Sequence, residues 1–154
     1  MSIMPTARAG FTLIEIVVVI GILALIALFS VGEIRDYAAT QQLQVAEQEL
    51  VSLVRETRQR TLAAETHSQF GLRFASSSVT RFEGAAYADE PDSHTEQTFP
   101  GVTFVSPLID SDTDVVYSRL TGTPSATGTI SIIHGQTGLV RELRLTDAGL
   151  LVSE

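Results

Sequence analysis

The sequence predicts an α+β protein: a long N-terminal helix, membrane-spanning in its first half and amphipathic in its second, packed on an antiparallel β-sheet head. Three observations carry this expectation. Between Phe11 and about Thr66 there is no proline, and Ala, Leu, Ile, Glu, Gln and Arg dominate, so nothing there enforces a break in a helix. Beyond Thr66 the chain changes to short alternating runs separated by clusters of Gly, Pro, Ser and Asp, the pattern of strands and turns. The connections between those runs are too short for helical crossovers, so antiparallel pairing follows, and helix-then-strands is an α+β order. Of the 154 residues, ~120 remain beyond the apolar segment, enough for one compact head.

The first element is the stretch from Gly10 to Val31, GFTLIEIVVVIGILALIALFSV, apolar or glycine throughout apart from Thr12, Glu15 and Ser30. At ~1.5 Å rise per residue the ~21 residues from Phe11 make a helix of ~31 Å, matching a hydrocarbon core of ~30 Å. Residues 11–32 are therefore read as a transmembrane helix. The exception is Glu15, near its start. A carboxylate among Ile, Val and Leu costs roughly 2.5 to 3.5 kcal/mol at mid-membrane on the insertion scale and less near an end. Such a charge calls for a partner. A cut between Gly10 and Phe11 would supply one, because the new amino group of Phe11 would be a cation at the depth of Glu15, one helical turn away or alongside in a neighbour.

The run G-F-T-L-I-E followed by a long apolar segment resembles the class III signal of type IV pilins and type II secretion pseudopilins. The resemblance implies that a membrane-embedded prepilin peptidase cuts after Gly10 and methylates the new N-terminus. Phe11 is then the methylated first residue of the mature chain, and Glu15 the glutamate that guides assembly. It implies as partners the prepilin peptidase, other pilin or pseudopilin subunits in a filament, an inner-membrane assembly platform and membrane lipid. Residues 1–10 become a leader that is removed, 11–32 the anchor, 33–66 an amphipathic continuation and 67–154 the β-rich head. The order of membrane helix, amphipathic helix, QFGLRF strand and glycine-rich strand pairs further resembles the minor pseudopilin group that includes general secretion pathway protein H and the FimT minor pilins, which implies a pilin fold.

The leader's sole charge is Arg8, whereas the far side of the apolar run begins Glu33, Ile34, Arg35, Asp36. By the positive-inside rule the N-terminus stays cytoplasmic and the head is exported from a single-pass anchor; the resemblance implies that the membrane is the inner one and that the filament stands in the periplasm or at the cell surface. The competing reading is a secretory signal peptide with an apolar core from Ile16 to Phe29 and small residues Ser30 and Gly32 at the cut. Glu15 at the head of that core and the amphipathic helix running on past Gly32 favour the uncut anchor. The net charge of −8, from 18 acidic residues against 10 arginines with no lysine, argues against a polybasic surface for nucleic acid or anionic lipid. The absence of cysteine excludes disulfides, a catalytic thiol and thiolate metal sites.

From Glu33 to about Thr66, Leu43, Ala46, Leu50, Leu53, Val54, Thr57 and Thr61 recur at three- and four-residue steps with charged residues mostly between them, an amphipathic stripe. Gly21 and Gly32 are the weak points of the continuous helix. Strands are expected at Gln69–Phe74, Ser78–Phe82, Val102–Val105, Val115–Leu120, Thr129–His134 and Val140–Leu145, and a last one at Gly149–Val152, with a polar loop from about Glu83 to Pro100.

Candidate chemistry in the head is sparse. Asp110, Asp112 and Asp114 alternate like the start of an EF-hand loop, but Val115 stands where that loop needs glycine and Thr121 where it needs a bidentate glutamate, so a turn is the better reading. His67, His94 and His134 have no metal-site spacing and no Gly-x-Ser-x-Gly elbow beside them; His94 lies near Asp92 and Glu96. Some FimT-like pilins bind DNA through arginines near the C-terminus. Here the candidates are Arg141 and Arg144, with Glu142, Asp147 and Glu154 nearby and no arginine after Gly149, so nucleic acid is not an expected partner. The expected protein is a structural minor pilin or pseudopilin, not an enzyme, with no catalytic residue, cofactor or metal. The alternatives are a membrane-anchored exported binding module, an exported enzyme and a DNA-uptake minor pilin.

Overall fold

The computed structural model describes residues 10–63, 67–87, 94–105 and 114–153, with the backbone alone over 28–34. It divides into two units, Met1–Tyr37 and Ala38–Glu154. Among the described residues there is one helix, α1 (Leu13–Leu62), followed by β1 (Phe70–Phe74), β2 (Ser78–Glu83), β3 (Thr95–Thr98), β4 (Val102–Val105), β5 (Asp114–Val116), β6 (Gly128–His134), β7 (Val140–Leu145) and β8 (Leu151–Ser153). The strands form two four-stranded sheets, in the orders β3-β2-β1-β5 and β4-β6-β7-β8, with every neighbouring pair antiparallel. The fold is α+β, consistent with the pilin-like arrangement expected.

In the second unit the stripe read from the sequence is the buried face of the helix. Leu43, Ala46, Leu50, Leu53, Val54, Thr57 and Thr61 are all buried, with Ala39 at the start of the same stripe. Of these, Leu43, Ala46, Leu50, Leu53 and Val54 share a core with Leu72, Phe74 and Val79 of one sheet and Phe104, Ile130, Ile132, Leu143, Leu145 and Leu151 of the other. Burying a leucine such as Leu50 contributes about 1.5–3 kcal/mol. The edge of Phe74 meets Phe104 at 6.4 Å between ring centres, joining the two sheets. The buried threonines keep their hydroxyls satisfied: Thr57 Oγ1 donates to Leu53 O at 2.7 Å and Thr61 Oγ1 to Thr57 O at 3.1 Å. Thr61 Oγ1 also accepts the Phe70 N–H at 3.2 Å, which ties the end of the helix to the first residue of β1.

The polar flanks of this part of α1 are tied to the sheets. Glu47 accepts from Arg141 on β7 at 2.7 Å, Glu56 from Arg81 on β2 at 2.8 Å, and Glu49 from Gln97 on β3 at 3.2 Å. Within the first sheet, Gly71 of β1 lies opposite Phe82 of β2, and a Cβ at Gly71 would overlap the Phe82 ring. Only glycine leaves room for that ring.

Three departures from the expected boundaries have physical reasons. α1 ends at Leu62, short of Thr66, and His67 adopts a left-handed φ of 61° that cannot continue a helix. The expected Glu83–Pro100 loop contains β3, an exposed edge strand of sequence TEQT whose lack of apolar alternation hides it, as suits an edge that must not recruit other chains. β5 stops at Val116, not at Leu120, because Leu120 at φ 72° and Gly122 at φ 63° turn the chain back, and Tyr117 bridges to Pro124.

Candidate functional site

The residues singled out for processing and assembly lie at the start of α1. Gly10, Phe11 and Thr12 precede the helix without regular structure, and Phe11 is 81% exposed. The Gly10–Phe11 peptide is thus non-helical and open to approach. Among the described residues nothing stands within 4 Å of where a Cβ on Gly10 would sit, so the chain's own packing gives no reason for glycine there. A requirement for a small residue would come from a partner that grips this peptide.

Thr12 is the N-cap. Its carbonyl accepts from the Glu15 N–H at 3.1 Å and the Ile16 N–H at 3.3 Å, and its Oγ1 lies at a long 3.4 Å from the Glu15 nitrogen. Thr12-Leu13-Ile14-Glu15 has the form of a capping box, and Phe11 and Ile16 hold the two positions of a hydrophobic staple. Glu15 lies in the first turn, where the positive end of the helix dipole favours a carboxylate. Its side chain is exposed, and among the described residues it has no hydrogen-bond or ion-pair partner. Thr12 is the functional candidate that charge and hydropathy miss; the S/T-x-x-E signature is the signal that finds it.

The candidates in the head do not converge. Asp110 and Asp112 lie outside the described residues, and Asp114 opens β5 with its Oδ1 3.8 Å from Arg73 Nε. His94 stacks on Tyr87 at 4.7 Å, and the Arg73 guanidinium lies 4.3 Å from the centre of the same ring. His134 is buried on β6. Its Nδ1 accepts from the Thr137 N–H at 3.2 Å, which assigns the proton to Nε2, the donor to Gln42 Oε1 at 2.8 Å. This histidine is a structural link between α1 and β6. Arg141 is engaged by Glu47, and Arg144 lines a groove of about 710 Å³ with Asp147 and Thr146. Among the described residues there is no cluster of three or more His, Asp or Glu able to hold a metal. Burial pushes the Tyr117 phenol well above its ordinary range, against an opposing influence from Arg58.

Residues 5–31 match the family model of the prokaryotic N-terminal methylation motif. The match covers Gly10, Phe11, Thr12 and Glu15 and supports a type IV pilin-like family. A signal of this type implies processing by a prepilin peptidase, assembly with other pilin-type subunits, and a membrane-anchored, exported protein. No curated protein and no solved structure matches the chain. Among the described residues no helix is long and apolar enough to cross a membrane. The described apolar side chains run only from Leu13 to Ala27, ~22 Å of helix against the ~30 Å required, and the rest of the expected span lies over 28–32, where no side chain is described.

Proposed function

We propose that the chain is a structural, non-enzymatic subunit of a membrane-anchored filament, a minor pseudopilin or minor pilin akin to the general secretion pathway protein H and FimT group. A prepilin peptidase cuts between Gly10 and Phe11 and methylates Phe11, and residues 11–32 hold the subunit in the inner membrane with its head exported. Assembly begins when Glu15 meets the methylated amine of a neighbour. The observation that carries this reading is the methylation motif over 5–31; within it the Gly10–Phe11 peptide is exposed and non-helical just before α1, which suits it to be the cleavage point. The partnerless Glu15 carboxylate supports the assembly step, since a charge in an apolar segment requires compensation that the described part of its own chain does not give. Moving an apolar helix from lipid into a helical bundle gains little hydrophobic energy, so packing and this ion pair set the register.

The test is mass spectrometry of the mature N-terminus. The expected chain begins at N-methylated Phe11, and Gly10→Val, which puts a branched side chain before the cut, leaves the leader attached. A mature protein starting at Met1 or Glu33 would sink the proposal.

A further inference from the structure

Neither the cut nor the assembly pair uses Thr12, yet it stands where the helix begins. Its carbonyl is the acceptor for both Glu15 and Ile16, its Oγ1 stands 3.4 Å from the Glu15 nitrogen, and α1 starts at Leu13 with the Gly10 carbonyl outside the helical ladder. If the helix ran one turn further back, the Ile14 N–H would bond to the Gly10 carbonyl and close the Gly10–Phe11 peptide inside a helical turn. The leader sequence does not forbid this, because Ala7, Arg8 and Ala9 all favour helix and Gly10 alone opposes it. The orphan N–H groups of the first turn need acceptors most where water is scarce, and without a capping side-chain oxygen a backbone carbonyl one turn back, such as that of Gly10, is the alternative.

We propose that Thr12 is a positioning residue for processing: by capping α1 it holds the Gly10–Phe11 peptide in the non-helical form that a peptidase can enter. The inference rests on the reading of that peptide as the cleavage point. Thr12 touches no reacting atom and acts through the conformation of the bond two residues before it.

The test follows cleavage of the full-length chain in membranes by a prepilin peptidase, with intact and Phe11-started products resolved by mass spectrometry. Thr12→Val keeps the branched shape and loses the cap, and should be cut about fivefold more slowly. Thr12→Asn and Thr12→Ser both keep a side-chain oxygen that can accept from the first turn, and should return to within about twofold of the wild type. Amide exchange adds a readout independent of the enzyme: protection should spread to Leu13 and Ile14 in Thr12→Val and remain as in the wild type in Thr12→Asn. Wild-type cleavage of Thr12→Val, or Thr12→Asn as slow as Thr12→Val, overturns the positioning role, the latter because the peptidase would then be reading the threonine side chain itself. A wild-type chain left uncut at Gly10–Phe11 overturns the processing proposal, and this inference with it.

Discussion

Along α1, the large apolar side chains from Leu13 to Ile26 are exposed, from 47% at Ile16 to 83% at Leu13, whereas Leu43 and Leu50 are sealed at 2% and 0%. The carboxylates differ in the same way: Glu15 has no partner among the described residues, while Glu47 and Glu56 are held by Arg141 and Arg81. The sequence explains the contrast. The first region is apolar all round and has no polar face to offer water, and the second is apolar on one stripe only, matched by the sheets. An unmet surface of this extent marks contact with lipid or with other protein. One region is completed by its surroundings and the other by its own chain.

The strongest way to break the comparison is Glu15→Val. It removes a costly charge, so insertion should be unimpaired, cleavage at Gly10 should persist, and melting of the head should not move. Entry into the filament should fall more than a hundredfold, because breaking a buried pair by removing one partner costs about 3–5 kcal/mol. The measurement is the ratio of tagged wild-type to Glu15→Val subunits in the membrane fraction and in crosslinked filament complexes. Equal ratios in the two fractions refute the assembly role.

Leu50→Ala is the converse. It leaves a cavity where α1 meets both sheets and should destabilise the head by about 2–5 kcal/mol in denaturant unfolding while leaving cleavage at Gly10 unaffected. A smaller change, about 1–3 kcal/mol, is expected for Gly71→Ala, whose methyl group must displace the Phe82 ring from the face of β1. If either substitution slowed cleavage instead of loosening the head, the separation of roles between the two regions would fail.

Much of this contrast was legible in the sequence, for a physical reason. The inward stripe from Leu43 to Thr61 was readable because helix period and burial coincide there, and the methylation motif over 5–31 because one acid in an apolar run stands out and its neighbours G-F-T-L-I-E resemble a known signal. β3 was hidden because TEQT carries no burial signal, and the end of β5 because Leu120, a residue unusual at positive φ, makes the turn. The ties Glu47–Arg141 and Glu56–Arg81 join residues far apart in the chain, and no local spacing rule pairs them. Thr12 was readable through its capping-box spacing, but the same glutamate already had an explanation in the apolar run around it.

The smallest predicted effect sharpens the contrast between the carboxylates. Burial by itself would raise the Glu56 pKa, but the neighbouring Arg81 and Arg60 outweigh it and hold the carboxyl below its ordinary value of 4.5. A folded-state value below the unfolded one means that the unfolded chain binds the proton more readily. The stabilisation is therefore fully present above pH 4.5 and is lost as pH falls through the lower folded value. Because the Glu56 side chain is 46% exposed, solvent screening limits its contribution to less than about 1 kcal/mol. Thermal unfolding of the wild type and Glu56→Gln between pH 7 and pH 3 should therefore show the variant slightly less stable at neutral pH, with the gap closing below pH 4.5. A gap that persisted or widened in acid would show that Glu56 acts through packing and not through its charge.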